Sequence, residues 1–279
     1  MLHWHPHPDV WALIIVMSAL YIVALRRWGP RFAPLGAEPA TTKQKWFFFS
    51  GVFALWVGAD WPVHEISEEY LFSVHMLQHT VFSLVAPPLL LLGLPPWLLR
   101  VVLRPPKLFA VVRFLTRPLV ALLAFNAVIA ITHWPFLVNA SVTNELLHLS
   151  IHTVLVTTAL MMWWPVVDPL PELTRLTPPG KMLYLFLQSI VPTVPASFLT
   201  FAETPIYDFY TRVPRLIDLS PLADQQIAGL IMKVGGGLLL WLVIATLFFK
   251  WYAREERQEV AEVTWDDFEH DLRAWELRR

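Results

Sequence analysis

Apolar positions in this chain run in long unbroken blocks, not in the alternation or single stripe of a soluble strand or helix. Seven blocks are long enough, or nearly so, to cross a bilayer, which takes about 20 helical residues. They are Val10–Ala24, Trp46–Ala59, Leu71–Leu94, Pro118–Val138, Glu145–Trp164, Met182–Ala202 and Ile227–Phe249. The second is short and should extend back to about Thr42. Trp28, Trp46, Trp61, Trp134, Trp163, Trp164, Trp251 and Tyr252 stand at block ends, as an interfacial belt would have them. The pattern predicts an all-α integral membrane protein with seven transmembrane helices over residues 1–250. A tail over 251–279 follows, in which Thr264 caps an amphipathic helix with Trp265, Phe268, Leu272 and Trp275 on one face.

Composition agrees with the pattern. Of 279 residues, 56% are hydrophobic and only 15% charged, too little polar surface for a soluble globule of this size. Many of the 24 prolines fall between or inside the apolar blocks. Pro87 and Pro88 in the third block, and Pro192 and Pro195 in the sixth, should kink their helices and free backbone carbonyls. Pro106–Leu115 mixes Lys107 and Arg113 with Leu108, Phe109, Val112 and Leu115, and reads as a helix lying along the interface. Cysteine is absent, which excludes disulfides, thiolate metal sites and thiol redox chemistry. The first arginines, Arg26 and Arg27, follow the first apolar block, so that block reads as a retained span and not as a cleaved signal. No internal repeat is evident.

Lysine and arginine set the expected orientation. Arg26, Arg27, Arg31, Lys43 and Lys45 share the first connection, and Arg100, Arg104, Lys107, Arg113 and Arg117 the third. Arg175 and Lys181 lie in the fifth connection, and the tail beyond the seventh block is again basic. The alternate connections hold only Arg212 and Arg215. This bias predicts an N-terminus outside and a C-terminus in the cytoplasm.

Within that frame the histidines become conspicuous. His75 and His79 lie four residues apart in the third block, His148 and His152 four apart in the fifth. On a helix each pair stacks on one face, one turn apart. Both helices enter from outside, which puts His75 and His79 roughly 8 and 14 Å down, and His148 and His152 roughly 6 and 12 Å down. Such side chains are costly in lipid and belong against a bundle interior or a wet cavity. Two pairs at matched depth predict a shared site. Imidazole without thiolate suits copper, zinc, iron or nickel, and argues against magnesium or calcium. His133 and His64, near the same surface, are candidate further ligands.

Other candidates are secondary. Glu145 shares a helical face with His148 and His152 and could orient an imidazole or bind metal; Asp60 and Glu65 could do the same. Gln78 lies between the third-block histidines. Glu68 and Glu69 read as a solvated rim. The trio His3, His5 and His7 reads as exposed and flexible, either a bystander or a weak metal catcher. Lys233, inside the seventh block, must pair with a carboxylate or carbonyl, lie neutral, or face away from a cation. Gly235, Gly236 and Gly237 should let a neighbouring helix pack closely. Whether the connection Glu203–Gln226, with Tyr207, Phe209 and Tyr210, covers the site is left open.

His75-Met-Leu-Gln-His79 leading to Ala86-Pro-Pro88 and Leu92-Gly-Leu-Pro95 resembles the CtaG-type cytochrome c oxidase assembly factors of bacteria. So do Asp60-Trp-Pro62, Trp163-Trp-Pro165 and Asp224-Gln-Gln-Ile-Ala-Gly-Leu-Ile-Met232, in the same order. The resemblance spans about Trp46 to Trp251. It implies a seven-span protein of the bacterial cell membrane that helps mature a haem–copper oxidase, with copper supply as the step. By resemblance, His75, His79, His148 and His152 carry the site. Lys233-Val-Gly235 departs from the Trp-Val-Pro of many relatives.

Three readings follow. The first is a non-enzymatic assembly factor that passes copper along the histidines, with oxidase subunits or other copper carriers as partners, membrane lipid around it and no nucleic acid. The second is a bis-histidine haem cytochrome. The third is a zinc-dependent intramembrane hydrolase, using Glu145 or Asp60 as general base. A transporter fits less well, since no inverted halves are visible.

Overall fold

The computed structural model describes residues 4–173, 176–262, 268–269 and 272–273. Among these every regular element is helical. The long elements are α1 (Pro8–Arg27), α2 (Thr42–Ala59), the short α3 (Val63–Glu69), α4 (Phe72–Gly93), α5 (Pro118–Thr132), α6 (Glu145–Val167) and α7 (Pro178–Phe201). A last helix, α8, runs from Pro221 through a π turn at Ile231–Gly235 to Glu262. Five helices are long and apolar enough to cross a membrane, or up to seven if two bent pairs each count as one span.

The element boundaries follow local chemistry. α2 begins at Thr42, where Thr41 and Gln44 form a capping box that satisfies free N–H groups at the helix start. Asp60–Tyr70, expected as a loop, contains α3 and bends 41° from α2. The fourth apolar block is not one span to Val138. α5 stops at Thr132, and a separate helix begins at Pro135. Trp134, which precedes that proline, adopts extended backbone (ψ 132°), because a residue before proline disfavours the helical region. Pro106–Leu115 is helical with no buried residue, in line with a surface position, and it bends 70° into α5.

Prolines act differently in the two helices that carry pairs of them. In α4 the turn Val81–Val85 widens into a π-helix just before Pro87 and Pro88. Pro87 has no N–H for the Ser83 carbonyl four residues back, and the Trp163 indole of α6 donates to that carbonyl at 2.9 Å. α7 runs through Pro192 and Pro195 without ending.

Close helix packing occurs where a glycine faces a neighbour, and not at the expected triplet. Gly51 and Gly58 of α2 meet Leu90 and Phe82 of α4, and Gly93 lies against the Phe48 backbone, where an added Cβ would fall 2.5 Å from its nitrogen. Gly229 of α8 lies equally close to Thr200 of α7. Gly235 and Gly237 have open space beside them, and Gly236 touches only Leu84. The buried core runs along the α2–α4–α6 contact and includes Phe48, Phe82, Leu90, Leu155, Met162 and Trp163.

α8 passes residue 250 unbroken and continues to Glu262. Phe268 and Leu272 are exposed. The expected cap Thr264, its partners Trp265 and Trp275, and His3 and His270 lie outside the described residues.

Candidate metal centre

α4 and α6 pack side by side and present both histidine pairs to one another. His79 Nε2 lies 3.1 Å from His152 Nε2, and the His75 and His79 rings are 4.4 Å apart. Among the described residues, His75, His79 and His152 form a group whose donor atoms all lie within 4.8 Å of one another. The Nδ1 atoms of His75 and His79 are buried without a hydrogen-bond partner. Buried polar atoms are nearly always satisfied, so orphaned nitrogens on two rings of one convergent group mark a place built for something else. The three rings, with His133 and His148, line a cavity of about 10 Å³, room for one ion or one water.

His148 stands beside the triad and not within it. Its ring is 4.2 Å from His152 and 5.7 Å from His75, but its Nε2 faces Glu68 Oε1 at 2.9 Å. Glu68 thus partners Nε2, while Nδ1 is buried without a hydrogen-bond partner. His133 is 6.1 Å from His79 by ring centres. Its Nδ1 lies 2.7 Å from the Ile129 carbonyl, a contact that requires the proton there and leaves Nε2 with the lone pair.

The secondary candidates separate sharply. Glu145 is exposed on α6, at the solvent end, and does not join the cluster. Its place is taken by Glu68, which contacts His148 and, at 3.2 Å, His64 Nε2. The sequence placed Glu68 on a solvated rim because its short helix lies in a polar stretch; the i, i+4 spacing from His64 was the available signal. Asp60 is a structural carboxylate, accepting from the indoles of Trp11 at 2.8 Å and Trp56 at 2.7 Å and from the Trp61 amide. Gln78 is buried, donates to the Gly58 carbonyl at 2.7 Å and reaches His64 Nδ1 at 3.4 Å. It positions α3 and does not face the triad. Among the described residues Lys233 meets neither carboxylate nor carbonyl: its ammonium donates to Ser197 Oγ at 3.2 Å and sits over the Phe201 ring. It borders a second cavity of about 60 Å³ that also touches His79 and His133.

The connection between α7 and α8 covers this end of the bundle. Tyr207 and Tyr210 are buried, and their hydroxyls donate to the His133 and Ser67 carbonyls at 3.0 and 2.9 Å. Burial pushes both phenols above their usual range, so they act as neutral donors. Asp224 anchors the same region, accepting from the Phe72 and Ser73 amides at the start of α4, at 2.8 and 3.0 Å. A carboxylate there satisfies free helix N–H groups and opposes the helix dipole. Gln225 accepts from the Ile206 amide, so the Asp224-Gln225 pair ties the covering loop to α4.

The sequence profile described as cytochrome c oxidase caa3 assembly factor (Caa3_CtaG) matches residues 19–254. Uncharacterized protein Mb0105 of Mycobacterium bovis is 29% identical over 208 residues, covering 67% of this chain and 31% of that protein. Uncharacterized protein MT0111 of Mycobacterium tuberculosis matches to the same extent. The chain thus spans about a third of the length of these two relatives. No solved structure matches it.

Proposed function

The chain belongs to the cytochrome c oxidase caa3 assembly factor family, and on that premise we propose that it handles copper for the oxidase through the His75–His79–His152 cluster. Copper here is cargo. The observation that carries the reading is the convergence of three imidazoles, two with orphaned buried nitrogens, on a cavity sized for one ion. Imidazole donors without thiolate suit copper, which stands at the top of the divalent affinity order.

The residues divide the work. His79 and His152, 3.1 Å apart, would hold the ion from two helices, and His75 would complete the set from the turn above. His148 lies one ring contact away, turned toward Glu68, and offers the next donor on the way out. Its unpartnered Nδ1 and its turn toward Glu68 favour exchange by ligand substitution over a closed cage. His133, with Nε2 free to accept, offers another. Tyr207 and Tyr210 hold the covering loop in place and keep bulk water from the cluster.

In the same proposal the chain crosses the bacterial cell membrane seven times, with its N-terminus and the histidine cluster toward the outer face. The partner is an oxidase subunit or another copper carrier on that side. The 10 Å³ cavity favours an ion over a haem macrocycle. A hydrolase is disfavoured because its expected bases are elsewhere: Glu145 is exposed, and Asp60 is held by two indoles.

The test is complementation. In a strain lacking this protein, the wild-type gene should restore copper-loaded oxidase, and His79→Ala/His152→Ala should leave oxidase copper at least about tenfold lower at equal expression. Full oxidase copper with the double variant would refute the reading.

A further inference from the structure

A second group of metal-type donors gathers above the triad, and it includes the N-terminal histidines, whose sequence reads as either a bystander or a weak metal catcher. His5 and His7 each precede a proline, Pro6 and Pro8. A residue before proline is kept out of the helical region, and His7, at φ −109° and ψ 75°, stands at the N-cap of α1 without entering it. Both rings turn to Glu65 of α3. His5 Nδ1 lies 2.8 Å and His7 Nε2 3.7 Å from the same oxygen, Glu65 Oε1.

The segment is held in that position from below. The Trp11 and Trp56 indoles share Asp60 Oδ2, which ties the start of α1 to the end of α2 beside α3. Glu65 is itself buried, at 7% exposure, and His7 Nε2 is buried with no hydrogen-bond partner. His64 packs edge-on against His7 at 4.7 Å. A buried carboxylate facing two imidazoles, one with an unsatisfied nitrogen, is a mixed nitrogen–oxygen donor set.

We propose that His5, His7 and Glu65 form a second metal site, distinct from the imidazole triad, that captures a divalent copper or zinc ion at the outer rim. The two rings face one Glu65 oxygen without yet meeting at a single point, and rotation of the exposed His5 and half-buried His7 rings would bring the three donors onto one ion, with His64 as the next ligand inward. The mixed donors suit divalent first-row ions. From there contacts lead down without a gap: His7 to His64, His64 to Glu68 at 3.2 Å, Glu68 to His148 at 2.9 Å, and His148 to His152 at 4.2 Å between ring centres. The feeding role rests on the copper-handling reading; the existence of the rim site does not.

The experiment is titration of the purified full chain with Cu(II), followed by electron paramagnetic resonance. The variants are His5→Gln/His7→Gln, Glu65→Gln and His79→Ala/His152→Ala. Wild type should bind two equivalents. His5→Gln/His7→Gln should lose one and keep the other, Glu65→Gln should weaken the same equivalent about tenfold, and His79→Ala/His152→Ala should retain the rim equivalent with its mixed-ligand spectrum. Unchanged stoichiometry in His5→Gln/His7→Gln, or complete loss in His79→Ala/His152→Ala, would overturn the rim site. If instead His79→Ala/His152→Ala titrates like wild type while His5→Gln/His7→Gln loses an equivalent, the rim site stands and the triad reading falls. His5 is exposed whereas Glu65 is buried, and circular dichroism of each variant checks that the helices are intact.

Discussion

Trp163 supplies the hydrogen bond that Pro87 cannot. Its indole reaches the Ser83 carbonyl, one turn below His79, and the Ser83 hydroxyl in turn donates to the His79 carbonyl at 2.6 Å. The backbone under the histidine pair is therefore widened and held from the neighbouring helix. Trp163→Phe would keep most of the packing but strand a buried carbonyl. We expect a loss of about 1–3 kcal/mol, read as a lower melting temperature in detergent. An unchanged melt would mean that the Ser83 carbonyl finds another donor. At the same scale, the contact of Glu68 with His148 and that of His5 with Glu65 are tertiary and not encoded in sequence spacing, although the i, i+4 step from His64 to Glu68 was. His79 and His152 were legible because helical spacing and equal depth fixed them before any contact was known.

Glycines decide how closely the helices approach. An added methyl at Gly93 would meet the Phe48 backbone, which cannot rotate away, whereas at Gly237 nothing lies within 4 Å. Gly93→Ala should therefore destabilise by about 1–3 kcal/mol through overpacking, while Gly237→Ala should stabilise by about 0.5–1 kcal/mol through lost chain freedom. Thermal unfolding of the pair checks both signs, and equal shifts would contradict the packing. The sequence pointed to Gly235–Gly237 because three small residues cluster there; what faces each residue is decided by neighbouring helices, which a one-chain pattern does not reveal. Helix existence was legible almost throughout, from block length alone. The fourth apolar block runs on to Val138 past the end of α5 at Thr132, because Pro135 starts a second short helix that carries apolar residues of its own. The helix Val63–Glu69 was missed for the opposite reason, its polar residues hiding a short element that places His64, Glu65 and Glu68.

The whole molecule gathers its metal-type donors at one end and most of its positive charge in the connections expected at the other. The all-helical, span-rich character was readable because membrane insertion acts on composition along the chain, not on particular contacts, and the lysine and arginine bias carries the expected orientation. Thr143 and Glu38 are both exposed, and the native chain has no cysteine, so single-cysteine labelling is free of background. Thr143→Cys should react with an impermeant maleimide in intact cells, and Glu38→Cys only after lysis. The reverse pattern would invert the orientation and put the histidine cluster on the cytoplasmic side.

The claim on which the rest depends is that one ion is held by imidazoles from α4 and α6 together. Copper K-edge X-ray absorption on purified protein tests it most directly, with His5→Gln/His7→Gln as background so that only the deep site is read. Loaded with one equivalent, that protein should show the outer-shell scattering of about three imidazoles, reduced to one or none by His79→Ala/His152→Ala. Copper bound without imidazole scattering, or with the same scattering after both histidines are removed, would contradict the account.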